Sequence, residues 1–403
     1  MPQRKRTYVF ESSLSELQQV SPDVTISAVT TVQDFKVFFQ IPWTIYEKNV
    51  YWVPPFWVEL RDFFLNTNLF WTHAETRLFI ARWNNRPVGR IAAFIDHQYY
   101  KTNDDNVGFF GFFECIDNFD IASFLLHAVE EWISSKGMAL LYGPINGRID
   151  VGSGFLCEGF QSPPSLLSSY SPSYYLDFME NYGMKKLRDQ LMYHIDLIHP
   201  IPAAFKAIAK KCEAEGVTIR KFHRRHVKSE LNWWIPLFLE IFSEHWGYVP
   251  VCEEEMRTRF GIKQLRWIID PKLFLVAEVN NEPIAFLWTT PDYNQIFRTM
   301  NGELGLLEIL KFFLEKSRIN KGKFHFIGVK KKYRNLGIGT LLNYSAMVEM
   351  KKRGFTGAEC GWIDEQNIAS QTIIEKTGAK VCKRFRVYQK MITSRNDIGG
   401  RNP

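Results

Sequence analysis

The chain has 403 residues, 46% of them apolar and 23% charged, which excludes wholesale disorder and predicts more than one domain. A net charge of +7 favours anionic partners, whether phosphorylated cofactors, nucleic acid or acidic membrane surfaces, without choosing among them. Six cysteines with no C-x-x-C pair argue against a zinc ribbon or a disulfide scaffold and predict reduced thiols in a cytoplasmic protein. The start, residues 1–6, is basic with no apolar run behind it, so no secretory leader is expected. No apolar run is long enough to predict a transmembrane segment. Aromatic residues reach 15%, predicting thick cores and apolar clefts.

In chain order, the first half predicts a strand near 24–30, a helix near 32–49, a hairpin over 77–96 and a strand near 109–116. A helix near 120–136, a strand near 138–142, a short helix near 174–182 and a closing hairpin to about 197 follow. Between them, residues 143–172 are rich in Gly, Ser and Pro yet carry Phe155, Phe160, Leu166 and Leu167. A lid or an interface fits this stretch better than a floppy linker.

The second half begins after the proline-bearing stretch 198–202. It predicts a helix over 203–215, a strand over 217–222, helices near 229–246 and 252–269, and a hairpin over 272–292. An additional helical segment near 302–320 precedes strand 323–330 and helix 338–353. Strand 356–363, helix 367–377 and strands over 379–393 close the chain.

The two halves repeat one another. Tyr51-Trp52-Val53-Pro54 is echoed by Gly247-Tyr248-Val249-Pro250, and the same offset of 196 aligns Leu78–Gly89 with Phe274–Ala285, each an apolar strand, an Asn-Asn turn and a second strand. Val24-Thr25-Ile26 matches Val217-Thr218-Ile219; Gly183 and Tyr193 match Gly378 and Tyr388. The chain therefore reads as two copies of one α/β (α+β) fold, in domains 1–198 and 199–403, each a mixed central sheet flanked by helices.

The sharpest local signal is Val329-Lys330-Lys331-Lys332-Tyr333-Arg334-Asn335-Leu336-Gly337-Ile338-Gly339-Thr340. A strand runs into a basic turn, and Gly-x-Gly opens a helix whose first N–H groups and partial positive charge suit a pyrophosphate. Thirty residues on, Asn367-Ile368-Ala369-Ser370 starts another helix, with Asn367 as its cap.

Strand, R-x-x-G-x-G, helix, strand and N-x-x-S helix in this order resemble the GNAT superfamily of acyl-CoA-dependent N-acyltransferases, and the whole chain is similar to bacterial proteins built as tandem GNAT folds. The resemblance covers roughly 217–393. It implies that Val329, Lys330, Arg334, Asn335, Leu336, Gly337, Ile338, Gly339 and Thr340 cradle the pyrophosphate of acetyl-CoA or another acyl-CoA. It also implies that the fourth strand splays from the fifth to admit pantetheine, and that Asn367 contacts the cofactor arm. The chemistry implied is direct attack of an acceptor amine on the thioester, with a general base and an acid for the thiolate.

The sequence departs from the family at the chemistry. Ile374 stands where a tyrosine acid is common, and the fourth strand has no glutamate. His325 is the obvious titratable group on that strand and the candidate base, set against an ordinary strand histidine. Tyr388 is the candidate acid, set against the structural role that its counterpart Tyr193 suggests. Glu303 and Glu359 are further candidates. In the first copy, Cys115-Ile116-Asp117-Asn118-Phe119-Asp120 replaces the basic loop; two acids there repel phosphate and predict that this copy serves as scaffold or acceptor site, with Glu114 the candidate contact, set against an ordinary acid closing a strand.

His223 and His226 on a strand would face opposite ways, so no metal is expected. No G-x-S-x-G elbow and no nucleic-acid-binding signature occurs. The leading expectation is an acyl-CoA-dependent N-acyltransferase, acetyl-CoA first, acting on an amine acceptor whose identity the sequence leaves open, as it does the oligomeric state. The alternatives are a catalytically silent acyl-CoA-binding protein, favoured by the missing Tyr and Glu, and an aminoacyl-tRNA-dependent ligase, disfavoured by the intact loop.

Overall fold

The computed structural model describes residues 7–9, 17–21, 23–103, 105–149, 153–259 and 268–392. The basic start at 1–6, residues 260–267 of the helix expected over 252–269, and position 393 lie outside the described residues. The strands are β1 Leu17–Ser21, β2 Val24–Ala28, β3 Ala74–Trp83, β4 Arg86–Asp96, β5 Val107–Cys115, β6 Leu140–Gly143 and β7 Phe155–Glu158. They continue with β8 Lys185–Asp196, β9 Thr218–Lys221, β10 Phe274–Val279, β11 Glu282–Pro291, β12 Lys321–Val329, β13 Gly357–Asp364 and β14 Lys380–Met391.

Two compact units form. The first takes the described residues up to Asp189, Asn301–Glu303 and those from Phe385 on; the second takes Gln190–Met300 and Leu304–Arg384. In the first, β1 to β5 pair antiparallel in order, β6 joins β5 in parallel, and Tyr388–Met391 of β14 close the sheet against Leu140–Gly143. In the second, β9, β10, β11 and β12 pair antiparallel, β13 joins β12 in parallel, and the Gln190–Asp196 part of β8 closes the sheet against β13. The closing strand of each unit is thus supplied by the other sequence repeat. The hairpin expected up to 197 is corrected: β8 is one unbroken strand, because Lys185–Asp196 contains no Gly, Pro or Asn to reverse the chain.

Local chemistry explains the hairpins. Asn84 and Asn85 at the β3–β4 turn, and Asn280 and Asn281 at the β10–β11 turn, all adopt positive φ (48° to 64°), the conformation a two-residue I′ turn needs and asparagine tolerates. Each unit stacks aromatic side chains on its sheet. In the second, Trp234, Phe238 and Phe242 of the helix Val227–Phe242 meet Phe274, Phe286, Trp288 and Phe326. On the opposite face, the helix Ile338–Lys352 buries Ile338, Leu341, Leu342, Ala346 and Met350 with Leu287, Phe324 and Ala358. The aromatic excess of the composition therefore sits largely in cores, each fully buried ring contributing about 2–3 kcal/mol. Within 143–172, Phe155 and Leu166 are buried in the first unit, and Leu167 is exposed.

Candidate active site

β12 and β13 start as a parallel pair, Lys321 opposite Gly357 through Phe324 opposite Cys360. There the pairing stops, although β12 runs on to Val329 and β13 to Asp364. Phe326–Val329 keep their pairing with β11 on one side, and the stretch His325–Val329 turns its other edge, with its peptide groups, to the gap left by β13. Such an edge is suited to bond the amides of an extended ligand.

At the end of β12 the chain turns through a 3₁₀ segment, Lys331–Tyr333, into the helix Ile338–Lys352. Asn335 (φ 67°) and Gly337 (φ 83°) both take the left-handed conformation to make this turn. Gly337 is required by the protein itself, since a Cβ there would stand 2.6 Å from Ile208 Cγ2. Gly339 is not: its Cβ would meet only Ile327 Cδ1 at 3.7 Å, an ordinary contact. The absence of a side chain at 339 leaves room at the helix start rather than relieving any clash within the chain. That helix start has no side-chain cap, so its first N–H groups and its partial positive charge point outward. The Cys212 thiol donates to Leu336 O at 3.1 Å, pinning the turn to the helix Ala203–Ala214. The cradle thus fits a pyrophosphate by shape and by charge.

The basic side chains around the turn lean on acids. Lys331 bonds Glu244 at 2.8 Å, Arg334 reaches the same carboxylate at 3.3 Å, and Lys330 bonds Glu282 at 2.6 Å. Lys331, then Arg334, hold Glu244 below its ordinary pKa. Asn367 caps its helix through Oδ1, accepting from Ser370 N at 3.1 Å. Val329, Lys330, Arg334 to Thr340 and Asn367 all belong to the second unit, and the structure brings the first nine together in one turn.

His325 is the first residue of β12 beyond the last parallel pair, and it is the additional residue of a β-bulge, where the register with β11 shifts between Trp288 and Thr289. Its ring lies 5.0 Å from Trp288, and its Nε2 is 2.8 Å from the hydroxyl of fully buried Thr290. Burial, and then the Lys323 charge, hold the imidazole well below its ordinary pKa, so it is neutral at pH 7.

Lys323 is the residue that sequence reasoning missed. Two positions before His325 and on the same strand face, it is buried, donates to Met192 Sδ at 2.8 Å, and stands opposite Glu359 in the register, the carboxylate that Lys383 binds. Burial pushes its pKa down to about 8, against the pull of Glu359. A lysine at an inward position of a strand as apolar as Phe324–Val329 is the signal that marks it.

The other proposed residues lie elsewhere. Tyr388 belongs to the first unit, where it pairs with Gly143 and is buried in the core, which pushes its pKa up to about 12. Tyr193 holds the corresponding place in the second unit and donates to Glu375 at 2.8 Å. Ile374 is buried in the core of the second unit. Glu303 belongs to the first unit.

Among the described residues, the first unit shows no comparable gap. Where β5 leaves β6, its edge is filled by its own chain: Ile145 N donates to Phe110 O at 2.7 Å, and Phe112 N donates to Asn146 Oδ1 at 2.7 Å. The helix Phe119–Ser135 is already capped by Asn118, whose side chain accepts from Ile121 N. Glu114 is half-buried beside Arg90 and accepts from Tyr175 at 2.9 Å; desolvation raises its pKa to about 7. His223 precedes and His226 ends a 3₁₀ turn after β9, so neither sits on a strand. No group of three metal-ligating side chains occurs among the described residues.

The sequence profile of the Acetyltransferase (GNAT) family matches residues 233–379. Over 379 residues the chain is 28% identical to the Bacterial ceramide synthase of Caulobacter vibrioides (strain NA1000 / CB15N), across 92% of this chain and 98% of that protein. It is 28% identical to Protein YghO of Escherichia coli (strain K12) over 369 residues, across 89% of this chain and 93% of that one. Among solved structures, a tandem GNAT protein from the clavulanic acid biosynthesis pathway aligns with 92% of this chain and 99% of its own at a TM-score of 0.56 and 10% identity, a likeness of fold.

Proposed function

We propose that this chain, with its GNAT-family match in the second half and its likeness to a tandem GNAT fold, is an N-acyltransferase that joins a long-chain acyl group from acyl-CoA to the amine of a long-chain amino alcohol. The observation that carries this reading is the gap between β12 and β13 beside an uncapped helix start, in a chain that aligns along nearly its whole length with a ceramide synthase. A ceramide is the amide of a fatty acid and a long-chain amino alcohol, so its synthesis needs an amine to attack an activated acyl carbonyl.

In this reading the N–H groups of Ile338, Gly339 and Thr340 bind the pyrophosphate, with Arg334 and Lys330 adding charge. Val329, Asn335, Leu336 and Gly337 shape the turn, Asn367 lies along the cofactor arm, and the open edge of His325–Val329 bonds the pantetheine amides. Neutral His325 takes a proton from the acceptor ammonium, with Nε2 donating to Thr290 so that Nδ1 carries the lone pair. The amine nitrogen then forms the C–N bond as the C–S bond breaks, and the further proton that this nitrogen sheds goes to the departing thiolate, which leaves as CoA-SH. Tyr388 has no part in this reading.

The test is purified protein with palmitoyl-CoA and sphinganine. Thiol release that needs both substrates, together with the amide by mass spectrometry, is the expected result. Release that is indifferent to the amine, or confined to acetyl-CoA and short polar amines, would sink the reading. Glu244 competes with phosphate for Lys331 and Arg334, so Glu244→Gln is expected to tighten CoA binding by about two- to fivefold, the scale of an exposed ion pair. Calorimetric titration checks it; weaker binding would show that Glu244 organises the turn instead.

A further inference from the structure

The helix Leu306–Glu315 is inside out. Its apolar residues Leu306, Leu307, Ile309, Leu310, Phe313 and Leu314 face solvent, the leucines at 306, 307 and 314 being 87%, 77% and 70% exposed. Its charged residues Glu308, Lys311 and Glu315 are the half-buried ones. Phe312 turns inward to stack near Tyr293 and Phe297, at 5.4 and 5.9 Å. A surface helix normally shows the reverse arrangement, and so large an apolar patch marks an interaction site.

Cations border the patch. The Lys316 ammonium lies 4.6 Å from the Phe313 ring, and Lys316, Arg298, Arg318 and Lys321 are all exposed. Apolar surface rimmed by positive charge matches an anionic bilayer, whose headgroups pair with the cations while the acyl boundary takes the leucines. A second copy of this chain would bring the same cations against themselves, and the net charge of +7 adds to that repulsion. At 10 residues the helix spans about 15 Å, half of a hydrocarbon core, so it lies in the interface rather than crossing it.

We propose that the helix Leu306–Glu315 docks the enzyme on anionic membrane surfaces, where a long-chain amine acceptor resides. The choice of a bilayer rests on the cations and, in part, on the lipid acceptor proposed above. The helix leads through Lys316–Arg318 directly into β12, the strand that opens the acyl-CoA gap, so docking brings that strand to the lipid.

Vesicle flotation tests this without substrates. The full chain is expected to float with vesicles of phosphatidylcholine and phosphatidylglycerol, and the variant Leu307→Gln/Leu310→Gln/Leu314→Gln to bind them about tenfold more weakly or worse. Lys316→Gln/Arg318→Gln is expected to reduce the preference for anionic over pure phosphatidylcholine vesicles by about fivefold per cation. These side chains are exposed, so circular dichroism and melting temperature should match those of the unaltered chain. The docking proposal fails if the unaltered chain stays with the unbound fraction, or if the leucine variant floats equally well. It fails also if light scattering finds a dimer that the leucine variant dissolves while vesicles go unbound. Activity on a water-soluble amine separates the two readings. Turnover without vesicle binding overturns docking alone, and vesicle binding without turnover on any amine overturns the acceptor reading alone.

Discussion

Replacing Gly339 by aspartate is expected to abolish acyl-CoA binding while leaving the fold as stable as before. A Cβ at this position meets only Ile327 Cδ1 at 3.7 Å, and an acid in the first turn of a helix is favourable by a few tenths of a kcal/mol or more. The chain itself therefore loses nothing. A ligand phosphate loses its approach to the Ile338–Thr340 N–H groups and meets a negative charge. Two charge-assisted hydrogen bonds at about 1.5–3 kcal/mol each correspond to a hundredfold or greater loss of affinity. Titration with CoA, beside a melting curve, reads both quantities. Gly337→Asp makes the contrast: at φ 83° and 2.6 Å from Ile208 Cγ2, it should lower the melting temperature as well as binding.

His325→Ala is expected to reduce kcat by roughly a hundred- to ten-thousandfold, the usual worth of a positioned general base, with little change in acyl-CoA affinity. Lys323 supplies the readout that a structural histidine would not give. Its charge helps hold His325 below the ordinary histidine pKa, so Lys323→Met should raise the imidazole pKa. With neutral His325 as the proposed base, the acid limb of the kcat/KM profile should move to higher pH in that variant. An unmoved acid limb, or full activity in His325→Ala, would remove His325 from the chemistry. The same depressed pKa bears on stability: below the ordinary histidine value of about 6.5 the unfolded chain takes up the proton that the folded site refuses, so stability falls as pH drops through that range.

The parts legible in the sequence were those with a local physical cause. Asn-Asn turns demand positive φ, Asn367 caps the helix that follows it, and Gly-x-Gly after a basic turn announces an open helix start. The R-x-x-G-x-G order also carried the fold family, and with it the splay of β12 from β13. What escaped was non-local. Nothing in Lys185–Asp196 or Lys380–Met391 states which sheet each strand will close, since both alternate apolar and polar residues equally well, and the pairing is decided by which edge is free in the folded chain. The bulge that re-aims His325 and the burial of Lys323 depend on neighbours from β11, β13 and β8, which no window of β12 contains. In the first unit, loss of the basic loop was visible at Asp117 and Asp120; the filling of its gap by Ile145 and Asn146 was not.

The central claim is that acyl-CoA lies between β12 and β13 with its pyrophosphate on the start of the helix Ile338–Lys352. Amide hydrogen exchange with and without CoA reads that claim at the backbone groups concerned. The prediction is slowed exchange in His325–Val329 and Ile338–Thr340, with Phe110–Phe113 of the first unit unchanged. Saturating CoA that leaves the amides of β12 and the helix start unprotected, or protects those of β5 instead, would contradict it.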